Sequence, residues 1–82
     1  MSKVLIVEDE ETLARNLADK LRGEGFAVTT AGDGEEGLEK LRDEHPDLII
    51  LDIMLPKLDG LSLCRLIRRD AGMAHIPIIM LT

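Results

Sequence analysis

The sequence of 82 residues has almost no aromatic side chains: one phenylalanine, no tryptophan and no tyrosine. Its core must therefore be aliphatic, and an aromatic platform for stacking nucleic-acid bases is not expected. A single cysteine, Cys64, excludes an internal disulfide. Basic residues are fewer than acidic ones, so the net charge is -6. They cluster only at Arg65, Arg68 and Arg69, which we interpret as a solvated helix face. We therefore expect no direct nucleic-acid binding by this chain.

Long hydrophobic runs are absent as well. No apolar run approaches the roughly 20 residues that a membrane span requires. Acidic residues follow the apolar N-terminal run KVLIV too soon for a signal peptide. These absences predict a soluble, cytoplasmic protein with no membrane partner, and the length allows one domain at most.

What the sequence does contain is an alternation of two patterns. Short apolar runs predict strands buried on both faces, at Lys3–Val7, residues 26–31, residues 48–51 and Ile78–Leu81. Between them, apolar residues recur at helical spacing, at residues 10–24 (with Leu13, Leu17 and Leu21), residues 33–44 and Gly60–Arg69. The order β-α-β-α-β-α-β predicts an α/β protein whose parallel sheet carries helices on both faces.

Polar residues whose side chains can bind a metal or take part in a reaction follow directly after three of these strands. Glu8 and Asp9 follow the first strand, Asp52 follows the third and Thr82 follows the fourth. In an open parallel sheet, ligands bind beyond the carboxyl ends of the strands. If strands one and three are neighbours, three carboxylates converge, and two such charges about 4 Å apart repel by roughly 4 kcal/mol at an effective dielectric of 20. Mg²⁺ is a natural counter-ion for such a group, and a carboxylate can accept a phosphoryl group covalently.

Three stretches make a resemblance specific: IVEDE at residues 6–10, PDLIILDIMLPKLDG at residues 46–60 and PIIMLT at residues 77–82. Along all 82 residues, the chain resembles the receiver domain of two-component response regulators, most of all those fused to winged-helix DNA-binding domains. The resemblance implies a flavodoxin-like, doubly wound parallel sheet with strand order 2-1-3-4. It also implies a signalling domain that is phosphorylated by a sensor histidine kinase or a small phosphodonor. Such a domain is not an enzyme beyond catalysing its own phosphorylation and dephosphorylation.

The same resemblance implies a role for each residue at the strand ends. Asp52 would be the phosphoacceptor and a metal ligand. Asp9 would bind Mg²⁺ directly and Glu8 through water, while the backbone carbonyl of Met54 would complete the metal site. The hydroxyl of Thr82 would contact a phosphate oxygen as the switch residue.

The family pattern also contains a fifth βα unit, whose strand ends in a lysine that pairs with the phosphoryl group. The 82 residues end before the fourth helix, and Lys57, in the loop after Asp52, does not match that lysine. We therefore expect residues 1–82 to form a truncated receiver domain of four strands and three helices. Its fourth strand would be a bare sheet edge beside an uncovered sheet face, which predicts self-association.

Three alternatives compete with this interpretation. Residues 32–37 fit the dinucleotide pattern G-x-G-x-x-G, but three acids there would repel a pyrophosphate. A phosphatase of the haloacid-dehalogenase type needs a second acid two residues after the first, where this chain has Met54. A third alternative stays open: a receiver fragment that does not signal and acts as a structural or self-associating module.

Overall fold

The computed structural model describes residues 2–81, and it confirms the predicted alternation of seven elements. The strands and helices are β1 (Lys3–Val7), α1 (Glu11–Gly23), β2 (Ala27–Ala31), α2 (Gly34–Glu44), β3 (Leu48–Asp52), α3 (Gly60–Arg69) and β4 (Ile78–Leu81). The predicted boundaries differ by one residue at both ends of α1, at the starts of β2 and α2, and at the end of β3, which includes Asp52. None of these helices, within the residues described, is long and apolar enough to cross a membrane.

The four strands form one parallel sheet in the order β2-β1-β3-β4, which confirms the strand order that the resemblance implied. The register sets Val7 of β1 opposite Ala31 of β2 and Leu51 of β3. Asp52 lies opposite Leu81 of β4. The carboxyl ends of β1 and β3 are therefore level with each other in the middle of the sheet.

Both faces of the sheet carry a hydrophobic core, because alternate residues of a strand point to opposite faces. On one side, Val4 and Ile6 of β1 and Ile50 of β3 pack with Ala18 of α1. The other side is larger and lies under α2 and α3; its central buried residues are Leu5, Val7, Leu41, Ile49, Leu51, Leu63 and Ile67. Burial on both faces explains why residues 4–7 of β1 and residues 48–51 of β3 are all apolar.

The buried face of α1 differs from the predicted leucine stripe. Ala14 and Ala18 are buried and Leu17 and Leu21 pack partly against the core, whereas Leu13 is exposed. A row of residues spaced by four drifts around a helix by about 40° per step. Leu21 and Leu17 therefore stay close to the face that Ala14 defines, and Leu13 turns away from it.

Local backbone and side-chain contacts define both ends of α2. The side chain of Asp33 accepts a hydrogen bond from the backbone N–H of Glu36 at 2.8 Å, as an N-cap residue does. Glu36 in turn accepts from the backbone N–H of Gly32 at 2.7 Å. The helix ends at His45, which adopts a left-handed backbone conformation with φ 49° directly before Pro46. These contacts fix where the chain leaves β2 and enters α2, beside the carboxyl edge of the sheet.

Candidate functional site

The register of β1 and β3 brings two acidic side chains to the same face of the sheet. Val4 and Ile6 face the α1 side, so the next residue in that alternation, Glu8, extends toward it as well. On β3, Asp52 follows Ile50 by two residues and shares its face. Because Val7 lies opposite Leu51, Glu8 is level with Asp52 across the strand pair.

Asp9 completes the group at the start of the turn into α1. One carboxylate oxygen each from Glu8, Asp9 and Asp52 lies within 4.8 Å of the other two. The three differ in exposure: Glu8 is 5% exposed, Asp52 is half-buried and Asp9 is exposed. The cluster therefore has a buried floor and an open side that faces solvent.

Among the residues that the structure describes, no basic side chain pairs with a carboxylate of this cluster. Within residues 2–81, the lysine and arginine groups within 4 Å of a carboxylate pair with Asp19, Glu36 and Asp33 instead. The pKa of Glu8 is raised above its usual value of 4.5, chiefly because burial disfavours the ionised form. Hydrogen bonding with Asp9 and the charge of Asp52 raise this pKa further, while the backbone N–H of Glu10 opposes them with a bond at 2.9 Å.

An oxygen-only donor set of this kind fits Mg²⁺, a hard cation that prefers carboxylate and carbonyl oxygens and keeps several waters. The open side of the cluster provides the space that such waters need. A cavity of about 550 Å³ adjoins the cluster. It is lined by Asp9, by residues of the loop after Asp52 and by Leu61, an exposed residue of α3. A ligand that enters from solvent through this open side would reach both Asp52 and a divalent cation bound beside it.

The loop of residues 53–59, which joins β3 to α3, borders the cluster on one side. The backbone N–H of Met54 donates to Oδ1 of Asp52 at 3.2 Å, and the Met54 side chain is 82% exposed. At the far end of the loop, the N–H of Gly60 donates to the carbonyl of Ile53 at 2.9 Å. The predicted backbone ligand, Met54, therefore belongs to a closed loop that starts directly after Asp52.

The structure places most of the predicted site residues in one group. Glu8, Asp9 and Asp52 converge, and Met54 contacts Asp52. Thr82 lies outside the described residues, so its predicted role stays a prediction.

Sequence reasoning missed one contact at this site. The side chain of Lys57 pairs with Asp33, the residue that caps α2, at 3.5 Å. No spacing rule links a loop lysine to an aspartate 24 positions earlier, and the pair becomes visible only once the loop after β3 lies against α2.

Comparison with known proteins gives one consistent family. A family model described as the response regulator receiver domain matches residues 4–82. The chain is 50% identical over 80 residues to the alkaline phosphatase synthesis transcriptional regulatory protein PhoP of Bacillus subtilis. It is 45% identical over 80 residues to the DNA-binding response regulator MtrA of Mycolicibacterium smegmatis. Each alignment covers 98% of the chain but only 32% and 34% of these relatives, so the chain spans about a third of their length.

Solved structures agree with this similarity. The signal receiver domain of a histidine kinase from Syntrophus aciditrophicus matches with a TM-score of 0.96 at 36% identity, covering 100% of the chain and 62% of that structure. The N-terminal domain of a response regulator receiver protein from Methanoculleus marisnigri matches with a TM-score of 0.95 at 35% identity, covering 100% and 67%. The observed sheet and its helices therefore have the architecture of solved receiver domains.

Proposed function

Because the chain belongs to the response regulator receiver domain family, we propose that Asp52 accepts a phosphoryl group in a Mg²⁺-dependent reaction. The observation that carries this proposal is the convergence of Glu8, Asp9 and Asp52 at the carboxyl edge of the sheet. Three carboxylates without basic partners in the described residues favour a divalent cation. A nucleophilic carboxylate beside such a cation has the two requirements of phosphoryl transfer, which are placement and charge neutralisation.

In this proposal each residue of the cluster has its own task. Asp9 and Asp52 would offer oxygens directly to Mg²⁺, and the backbone carbonyl of Met54 would supply a further ligand. Glu8, the most buried of the acids, would hold a water of the metal. When bound, the cation offsets the repulsion between the Asp52 carboxylate and the incoming phosphoryl oxygens. Thr82 would contact one of those oxygens through its hydroxyl.

The proposed step forms one bond and breaks one. A carboxylate oxygen of Asp52 attacks phosphorus, and the bond from phosphorus to the donor breaks on the opposite side. The leaving group keeps the electron pair of that bond: a histidine imidazole when the donor is a sensor histidine kinase, or acetate when the donor is acetyl phosphate. The product is an aspartyl phosphate, and the chain acts on no substrate other than itself.

The other parts of the proposal concern the whole protein. We place residues 1–82 in one receiver unit that is phosphorylated by a sensor histidine kinase. Two relatives are described as a DNA-binding response regulator and a transcriptional regulatory protein. Because this chain carries a net charge of -6, any contact with DNA in the whole protein would be made by other residues.

Incubation of the chain with acetyl phosphate tests the proposal. We expect intact-mass spectrometry to detect one added phosphoryl group when Mg²⁺ is present and none when the cation is removed with a chelator. The adduct should be lost on treatment with hydroxylamine, which cleaves acyl phosphates but spares phosphoserine and phosphothreonine. Absence of an adduct in Mg²⁺, or an adduct of equal yield in chelator, would contradict the proposal.

A second candidate function rests on the two edges of the sheet. At the β2 edge, Arg22 donates to the carbonyl of Val28 at 2.9 Å and Lys40 donates to the carbonyl of Thr30 at 2.8 Å. These side chains occupy the groups that another strand would need. At the β4 edge, no side chain within residues 2–81 caps the outward carbonyls in this way, and Ile79 is 50% exposed on the uncovered face. We infer that the 82-residue polypeptide by itself self-associates through β4.

Light scattering coupled to size-exclusion chromatography measures this directly. The parent chain is expected to elute as a dimer or larger species at micromolar concentrations. The substitution Ile79→Lys places a charge on the uncovered face and should shift the chain toward monomer, because a charged edge resists pairing. Exposed Leu13 lies on α1, so Leu13→Lys is the matched control and should leave the mass unchanged. A compact monomer for the parent chain would exclude the self-associating module.

A further inference from the structure

The loop of residues 53–59 lies directly against the start of α2. A Cβ atom added at Gly34, the first residue of α2, would overlap with the backbone carbonyl oxygen of Leu58 and would come within 2.6 Å of the Leu58 Cβ. The two backbones therefore touch at a position where only glycine fits. The loop of residues 53–59 is therefore supported by the N-terminus of α2.

Within this loop, Lys57 adopts a backbone conformation that is rare for its residue type. Its φ is 67°, in the left-handed region that favours glycine. The N–H of Leu58 donates to the carbonyl of Pro56 at 2.8 Å, so Lys57 is the central residue of a three-residue γ-turn. Turns of this hand are strained for residues with a side chain, and they persist where neighbouring contacts hold them.

Lys57 also forms an ion pair that connects this turn to α2. Nζ of Lys57 lies 3.5 Å from Oδ2 of Asp33, while Oδ1 of the same carboxylate accepts the capping bond from Glu36. One carboxylate thus joins the strained turn to the N-terminus of α2. The pKa of Asp33 is lowered by the Glu36 N–H and by the charge of Lys57, which agrees with an ionised carboxylate serving both.

We propose that Asp33 and Lys57 form a latch that holds the loop of residues 53–59 and so positions Asp52 and the Met54 carbonyl for a divalent cation. The inference rests on the proposed function, because it assigns Met54 the role of a metal ligand. Asp33 and Lys57 are positioning residues: they act through the loop, whose other end begins with the bond from the Met54 N–H to Asp52. Opening the latch releases the turn and costs preorganisation at the cation site.

Two neutral substitutions open the latch from either side. Asp33→Asn keeps a good N-cap residue for α2 but removes the charge partner. Lys57→Met removes the cation but keeps a side chain in the left-handed conformation. For each variant we expect the dissociation constant for Mg²⁺, measured by calorimetry, to rise by about twofold to fivefold, the range of an exposed ion pair. The amide proton of Leu58 should also exchange faster with solvent in metal-free protein, because its bond to Pro56 depends on the turn.

The signs of these effects separate a latch from a simple charge effect. If the two charges acted on the cation only through space, loss of the positive charge of Lys57 would strengthen Mg²⁺ binding, and loss of the negative charge of Asp33 would weaken it. A latch weakens binding in both variants. Lys57→Gly adds a further test, since glycine adopts the turn without strain. We expect Lys57→Gly, alone or combined with Asp33→Asn, to bind Mg²⁺ within about twofold of the parent chain.

The matched control is Asp19→Asn, which removes an exposed ion pair with Arg22 on α1. It should leave both the Mg²⁺ dissociation constant and the exchange of the Leu58 amide unchanged. Unaltered Mg²⁺ binding in Asp33→Asn and Lys57→Met, or opposite shifts in the two, overturns the latch. Mg²⁺ binding without phosphorylation of the parent chain overturns only the proposed function. Absence of Mg²⁺ binding by the parent chain overturns both.

Discussion

The substitution Asp52→Asn is expected to abolish the phosphoryl adduct that the parent chain gains from acetyl phosphate and Mg²⁺. The amide has the shape of the carboxylate, and its oxygen can still accept the hydrogen bond from the Met54 N–H. It lacks the negative charge that makes the carboxylate a nucleophile and a metal ligand. Intact-mass spectrometry should therefore find less than about a hundredth of the parent adduct, since removal of the nucleophile removes the reaction and not merely a contact to it.

The same substitution should stabilise the protein when no cation is present. Asp52 lies within 4.8 Å of the carboxylates of Glu8 and Asp9, and its charge is one cause of the raised pKa of Glu8. Removing one of three like charges relieves repulsion, and partial exposure limits the gain to about 1 kcal/mol in the free energy of unfolding. Urea unfolding in chelator measures this gain. Added Mg²⁺ should stabilise the parent chain more than the variant, because binding to the native state alone raises stability.

Asp43→Asn is the control for both measurements. Asp43 is an exposed carboxylate on α2, away from the cluster. This variant should accept one phosphoryl group, and its response to Mg²⁺ should equal that of the parent chain. A hydroxylamine-sensitive adduct that survives in Asp52→Asn would mean that another carboxylate, such as that of Glu8 or Asp9, is the acceptor.

The sheet was predictable from the sequence because its central strands, β1 and β3, are buried on both faces. Runs such as LIIL at residues 48–51 have no polar side to place in water, so their number and order determined a parallel sheet with helices on both sides. The convergence of Glu8, Asp9 and Asp52 followed from the same pattern, given that β1 and β3 are neighbours. Hydrophobic periodicity does not specify the strand order, which was predicted from the family resemblance instead.

Contacts between loops and helix ends were beyond the reach of sequence patterns. The pairing of Lys57 with Asp33 depends on the path of a seven-residue loop with a left-handed turn, which no periodicity specifies. The exposure of Leu13 depends on how α1 is rotated about its axis, which its buried alanines decide. Both features come from tertiary packing, and both lie where local propensities allow several solutions.

Replacing Gly60, the first residue of α3, with alanine is expected to cause a large loss of stability. A Cβ at Gly60 would overlap with the carbonyl oxygen of Asp52 and would lie 2.7 Å from Cα of Ile53. Both neighbours are backbone atoms, so no side-chain rotation can make room. Overpacking of this kind costs about 3 kcal/mol, which in a domain of this size lowers the midpoint of thermal unfolding by roughly 12–24 °C.

Gly23→Ala supplies the comparison for this loss, because an added Cβ there meets no atom within 4 Å. At the last residue of α1, alanine should leave the free energy of unfolding equal to or up to about 1 kcal/mol above that of the parent chain. The atom that Gly60 approaches belongs to Asp52, so relief of the clash must move the backbone of this residue. A folded fraction of Gly60→Ala at low temperature should therefore bind Mg²⁺ more weakly than the parent chain, whereas Gly23→Ala should bind it equally. If the free energy of unfolding of Gly60→Ala lies within about 0.5 kcal/mol of that of the parent chain and Mg²⁺ binding is unchanged, α3 does not begin against the end of β3.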